Sequence, residues 1–259
     1  MAAISLVPES FKIPRKFFEI NTMAVLDILE EIRTYSPNTR FLQASSSEQL
    51  GENTQDIQNN DSKMLPNSPY ACSKLASYHL VRTFRKAFGL FACNTMCFNH
   101  EGDRRGPDFV TRKISMSIAK IKNGEQDFVS LGNLESMRDW GDAKDYTDGM
   151  IKIMEADEAD DFTLATGETH TIREFVEESF KQIGETITWK GKGVDEIGYN
   201  QDDKIRVKIK ESLYRPTEVM HLCGDYSKIK EKLGWSPKTA FKELVKNMVE
   251  NDINLLRKT

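Results

Sequence analysis

Four short apolar runs, at residues 40–44, 91–98, 127–131 and 161–165, alternate with segments of helical period at 73–88, 109–122 and 145–156. This alternation constrains the fold more than any other feature of the chain. Strands separated by helix-length crossovers pair parallel, with the helices packed on the sheet faces. The sequence therefore predicts an α/β protein. Upstream, Met23, Leu26, Leu29 and Ile32 give Thr22–Thr34 one apolar stripe at helical spacing. The long helix after residue 73 meets Gly89, a natural C-cap. Downstream, Thr171 and Glu174 form a Thr-x-x-Glu capping box opening a helix to Ile183, and two further helices are predicted at 226–233 and 239–257. Residues 52–66 are polar and irregular, a loop or lid. Residues 184–215, rich in glycine and charge, read as loops around one short strand at 187–190.

Bulk properties exclude several classes. A chain of 259 residues can bury a sizeable core. A net charge of −4 gives no electrostatic footprint for nucleic acid or an anionic membrane. No apolar run approaches the ~20 residues of a membrane span, and the mildly apolar start lacks a basic n-region, so a cytoplasmic protein is expected. Cys72, Cys93, Cys97 and Cys223 show no metal-ligand spacing. Cys93 and Cys97 fall on one face of a predicted strand and are expected to stay free thiols. His79, His170 and His221 also lack metal spacing and suit solvated or capping roles, while Trp140 and Trp235 read as core.

Two short motifs carry chemistry. In Ser68-Pro69-Tyr70-Ala71-Cys72-Ser73-Lys74, Tyr70 and Lys74 project from one helix face. An ammonium beside a phenol lowers its pKa and makes a base for a sugar hydroxyl, although the same spacing also produces plain surface pairs. In Arg40-Phe41-Leu42-Gln43-Ala44-Ser45-Ser46-Ser47-Glu48, an apolar strand ends in a serine-rich loop. Open α/β sheets bind ligands outside the carboxyl ends of their strands, which puts Ser46 and Glu48 where chemistry is expected. Arg215 and Glu218 flank Pro216 and can be either a local ion pair or a guanine-reading pair.

A serine-containing strand end, then Tyr-x-x-x-Lys, then a second apolar strand resembles an extended short-chain dehydrogenase/reductase. Five further segments resemble the GDP-mannose 4,6-dehydratase family, in that family's order. They are Asn99-His100-Glu101-Gly102-Asp103-Arg104-Arg105-Gly106, Phe109-Val110-Thr111-Arg112-Lys113, Leu131-Gly132-Asn133-Leu134-Glu135-Ser136-Met137-Arg138-Asp139-Trp140-Gly141, Ala143-Lys144-Asp145-Tyr146 and Tyr214-Arg215-Pro216-Thr217-Glu218. The resemblance runs from about residue 5 to the C-terminus, and the Asn133–Trp140 stretch is its most specific part.

The resemblance implies a Rossmann-like parallel sheet with a smaller C-terminal α/β substrate domain. It divides the chain into a partial NADP-binding part, 1–98 with 139–167, and a nucleotide-sugar part, 99–138 with 168–259. It implies GDP-mannose as substrate, NADP as cofactor and a homo-oligomer, dimer or tetramer, in full-length form. The implied catalytic residues are Ser46, Glu48, Tyr70 and Lys74, with Glu48 as the second base that an elimination needs. Tyr70, Lys74, His100 and Arg105 would contact the cofactor, and Asn99, Lys113, Arg138, Arg215 and Glu218 the nucleotide sugar. Gln49-Leu50 departs from the apolar-Tyr pair usual after the glutamate. The glycine-rich turn that cradles a dinucleotide pyrophosphate is also missing from the sequence. The match begins near the middle of the family's nucleotide-binding half, so an exposed sheet edge and weak cofactor binding with little turnover are expected of these residues. A non-catalytic GDP-sugar binder and a related epimerase or reductase are the alternatives.

Overall fold

The computed structural model describes residues 3–51, 53–214 and 219–257. The chain enters through two short helices, α1 (Val7–Ser10) and α2 (Pro14–Phe18), each with proline in its first turn. A π-turn at Glu19–Met23 joins α2 to α3 (Ala24–Tyr35), so the helix predicted from Thr22 continues a longer rod. The π-turn frees the Asn21 carbonyl for the Ser77 hydroxyl at 2.5 Å.

Strand β1 (Phe41–Ala44) leads through a tight turn, Ser47–Gln49, and the 52–66 segment into α4 (Pro69–Phe88). Its residues 53–66 are docked by backbone hydrogen bonds rather than hanging free as a lid. Gln58 N donates to Cys223 O at 2.8 Å, and the Gln58 carbonyl accepts from Asp225 N at 2.8 Å. Helix α4 begins four residues before the predicted start. The Ser68 hydroxyl accepts from Ala71 N at 3.1 Å, Pro69 fills the first helical position, and Gly89 ends the helix at φ 68°. Tyr70 therefore sits in the first turn of α4, where the chain leaves the loop.

Strand β2 (Ala92–Cys97) follows, then β3 (Asn99–Glu101), α5 (Val110–Lys122), β4 (Val129–Leu131), β5 (Met137–Arg138), β6 (Trp140–Asp142), α6 (Ala143–Glu155), β7 (Asp161–Leu164), β8 (His170–Thr171) and α7 (Ile172–Lys181). The capping box of Thr171 and Glu174 forms as expected. The final elements are β9 (Thr188–Lys190), β10 (Ile197–Tyr199), β11 (Ile205–Ile209), β12 (His221–Leu222), α8 (Ser227–Leu233) and α9 (Phe241–Leu256).

The main sheet is parallel in the order β1-β2-β7, which leaves β1 as an edge strand. Leu29, Ile32, Val81 and Phe84 of α3 and α4 pack with Ala92 of β2. Tyr146, Ile153, Ile229 and Trp235 of α6, α8 and the following loop pack with Cys93, Cys97, Phe162 and Leu164. All four cysteines are free, and Cys93 and Cys97 of β2 both belong to this core. A second core joins α5, α7 and α9 to the four-stranded sheet β4-β11-β10-β9. That sheet corrects the reading of 184–215 as mostly loop. Ile205, Val207 and Ile209 alternate with Arg206 and Lys208, and β11 pairs parallel with β4 and antiparallel with β10. No helix among the described residues is long and apolar enough to cross a membrane.

Candidate active site

The carboxyl ends of β1 and β2, the first turns of α4 and the loops around β3 and β5 enclose a cavity of about 440 Å³. Ser46, Glu48, Tyr70, Lys74, Asn99, His100, Arg105, Lys113 and Arg138 all line it. Residues spread from 46 to 138 thus meet in one place. Arg215 and Glu218 lie outside the described residues, while Leu213, just before them, is part of the wall.

The β1 end is rigid. The Ser46 hydroxyl caps the following turn by accepting from Glu48 N at 3.3 Å. Gln49 closes the box: its Oε1 accepts from the Ser46 amide at 3.1 Å and from the Ser45 hydroxyl at 2.6 Å. The Gln49 departure is thus a local clamp, and Leu50 packs fully buried beside Phe98 and Leu222. Glu48 is held at the wall with only 8% of its surface exposed.

The Tyr70–Lys74 pair corrects the sequence reading. Lys74 Nζ donates to the Ala44 carbonyl at 2.8 Å. Burial lowers its pKa to about 8, against a small opposing effect of Cys97. Burial pushes the Tyr70 phenol up to about 12; a hydrogen bond with Ser46 and the charge of Arg105 pull it down, and Glu48 pushes it further up. Desolvation of the phenolate therefore dominates over the charges around it. The Ser46–Tyr70 hydrogen bond instead joins the two motifs directly.

His100 Nδ1 faces the Phe98 carbonyl at 3.0 Å, and its ring stacks on Tyr146 at 5.3 Å. A carbonyl only accepts, so Nδ1 carries the proton and Nε2 is left as an acceptor. Burial lowers the His100 pKa and favours this neutral form. Arg105 lies flat on Phe109, with Cζ 3.7 Å from the ring centroid. Farther along the wall, Arg138 donates from Nη1 to its neighbour's carbonyl at 2.9 Å and is only 5% exposed. Lys113 has a pKa lowered by burial and by the nearby charge of Lys210. Asn99 sits opposite Trp140 in the β3–β6 pair.

The cavity thus brings a hydroxyl, a carboxylate, a phenol and an ammonium together with the cations Arg105, Lys113 and Arg138. Arg105 lines the cavity while its Nε lies 3.1 Å from the buried Glu101 Oε2, so its other guanidinium N–H groups suit an anionic or ribose-bearing group. The residues present fit the nicotinamide-ribose end of a dinucleotide. Glu101, Thr111 and Asn133 also line the cavity; all three stand inside the motifs quoted above, and only their contacts mark them. His170 departs from a solvated role by stacking on Phe241 at 3.7 Å, whereas Trp140 and Trp235 are core as expected.

Comparisons with known proteins bear on the family and the fold. A family described as GDP-mannose 4,6 dehydratase matches residues 1–248. A GDP-mannose 4,6 dehydratase of Drosophila melanogaster is 46% identical over 261 residues, covering 100% of this chain and 66% of that protein. The GDP-mannose 4,6 dehydratase of Homo sapiens is 45% identical, covering 99% of this chain and 70% of that protein. The chain therefore spans about two thirds of the length of such relatives. Among solved structures, RMD from Pseudomonas aeruginosa complexed with NADPH superposes with a TM-score of 0.83 at 20% identity, covering 98% of this chain and 80% of that one.

Proposed function

Because this chain belongs to the GDP-mannose 4,6-dehydratase family, we propose that its cavity binds GDP-mannose and carries the groups for 4,6-dehydration. The observation that supports this most is the meeting of Ser46, Glu48, Tyr70 and Lys74 in one cavity, with Lys113 and Arg138 along the same wall. A reductase needs a hydroxyl, a phenol and a lysine. Elimination of water needs a second base, and Glu48 supplies a buried carboxylate beside the phenol.

In this reading Tyr70 would take the proton of the sugar C4 hydroxyl only in the loaded site, where a bound positive nicotinamide would offset the burial that keeps the free phenol protonated, and Ser46 hydrogen-bonds the developing C4 oxyanion. Glu48 removes the C5 hydrogen, made acidic by the C4 ketone, and passes that proton to the C6 hydroxyl, which leaves as water; Tyr70 returns its proton to C5 when C6 is reduced. Bound NADP would supply the hydride acceptor at C4 and the donor at C6. Lys74, His100 and Arg105 would hold its nicotinamide-ribose end. Asn99, Lys113 and Arg138, with Arg215 and Glu218, would hold the GDP-sugar. The parts at 1–98 with 139–167 and at 99–138 with 168–259 would serve cofactor and nucleotide sugar respectively. Four free thiols suit a reducing cytoplasm.

A second reading is favoured by the absence of a glycine-rich phosphate turn from the sequence: the chain binds GDP-sugar well, NADP weakly, and turns over little. Calorimetric titration with GDP-mannose, with and without NADP⁺, together with an assay for GDP-4-keto-6-deoxymannose, separates the readings. Binding of both ligands with product supports the dehydratase. GDP-mannose binding alone supports the binder, and binding of neither by folded protein sinks both.

A further inference from the structure

The Glu101 carboxylate is 2% exposed, although it forms part of the cavity wall. A buried carboxylate is costly unless paired. Glu101 has two partners: the Thr111 hydroxyl donates to Oε2 at 2.5 Å, and Arg105 Nε lies 3.1 Å from the same oxygen. The Nε is itself buried, so the contact with Glu101 is an ion pair inside the wall, and the guanidinium is left to present its other N–H groups. Phe109 supports the guanidinium from one face. The backbone of the loop is fixed separately. Arg112 donates to the carbonyls of Asp103 and Arg105, and its Nη2 lies 2.8 Å from the fully buried Asp252 of α9. Backbone and side chain are thus anchored by adjacent residues of α5, Arg112 and Thr111.

From this geometry we infer that Glu101 is a positioning residue. It fixes the guanidinium of Arg105 against the cavity so that the side chain receives an anionic dinucleotide without first being ordered. An unanchored arginine loses rotamer entropy when it binds, and a pre-placed one has lost it already. Glu101 itself need not touch the ligand. The inference rests on the proposal that Arg105 faces the cofactor.

The test is calorimetric titration of the full chain with NADP⁺ and, separately, with GDP-mannose. The proteins are the wild type, Glu101→Gln, Arg105→Gln and the double variant. Glu101→Gln is expected to weaken NADP⁺ about tenfold, the worth of one charge-assisted contact. In the Arg105→Gln background the same change should have no further effect, because Glu101 acts only through Arg105. GDP-mannose affinity should stay within about twofold throughout, a selectivity that a merely structural carboxylate would not show. The inference is overturned if Glu101→Gln binds NADP⁺ like the wild type, if the two losses multiply, or if both ligands weaken together. Wild-type protein that binds GDP-mannose but not NADP⁺ overturns the cofactor assignment of Arg105 and the role of Glu101 with it. Wild-type protein that binds neither overturns the proposed function as well.

Discussion

Lys74 reaches the carbonyl oxygen of Ala44 at 2.8 Å and ties the second turn of α4 to the last residue of β1. The ammonium is thereby placed at the carboxyl end of the sheet, in a site only 5% exposed. Its pKa of about 8 makes this contact dependent on pH.

The folded state gives up the Lys74 proton near pH 8, well below the ordinary lysine value of 10.5. Between those values the unfolded chain holds more protons, so stability rises with pH. Lys74→Met should remove that rise. Urea unfolding of the two proteins from about pH 7 to about pH 10 should show a relative wild-type gain of about 2–3 kcal/mol. Parallel curves would show that Lys74 is not desolvated. Tyr70 acts oppositely: with its pKa raised to about 12, stability is lost as pH climbs from 10 towards 12.

Ultraviolet titration checks the phenol directly. The wild-type minus Tyr70→Phe difference spectrum should show phenolate only near pH 12. Ser46→Ala removes the hydrogen bond that lowers this value and should move the transition higher. Ionisation near neutral pH in the free protein would contradict the burial argument.

Glu48→Gln should separate binding from elimination. The amide keeps the shape but cannot take the C5 proton. If the wild type turns over, product formation should fall by roughly 10²–10⁴-fold. GDP-mannose affinity should change by less than about threefold, since the loss falls on the transition state. An equal loss in both would make Glu48 a binding residue.

Gly141 lies beneath the ring that supports His100. A Cβ there would approach Tyr146 Cε2 to 2.4 Å and Thr166 Cγ2 to 3.2 Å. Gly141→Ala should destabilise by about 1–3 kcal/mol and shift Tyr146, and with it His100. Thermal unfolding and the His100 NMR signals measure the two effects, and an unchanged His100 environment would deny the coupling.

Asp139 has no surface exposure. It accepts from Thr166 N at 2.8 Å, Thr166 Oγ1 at 2.7 Å, Gly167 N at 2.9 Å and Gly224 N at 3.1 Å. Asp139→Ala leaves these donors without their acceptor and should cost about 3–5 kcal/mol. Asp139→Asn, which keeps an acceptor oxygen, should cost less. Chemical denaturation of both variants gives the order, and equal costs would mean that water replaces the carboxylate.

Much of the parallel sheet was legible because strand and crossover helix differ in period, and the period is written locally. The β9–β11 sheet was harder to see. Ile205, Val207 and Ile209 alternate visibly, but β11 finds its parallel partner β4 far back in the chain. Gly198, which looks like loop composition, suits tight packing: a Cβ there would lie 3.0 Å from Ile187 and Trp189 side-chain atoms.

By itself the sequence determined the α/β architecture, the family motifs and the types of group at the site: a hydroxyl, a carboxylate, a phenol and an ammonium. Each depends on residue identity and local spacing. Tertiary structure alone decided which atom Lys74 addresses, how far burial raises Tyr70, and that Glu101 stands between Thr111 and Arg105. Those are properties of the local dielectric and of neighbours brought from distant parts of the chain. An i, i+4 spacing places two side chains on one helix face, but the surroundings set which of them holds a charge.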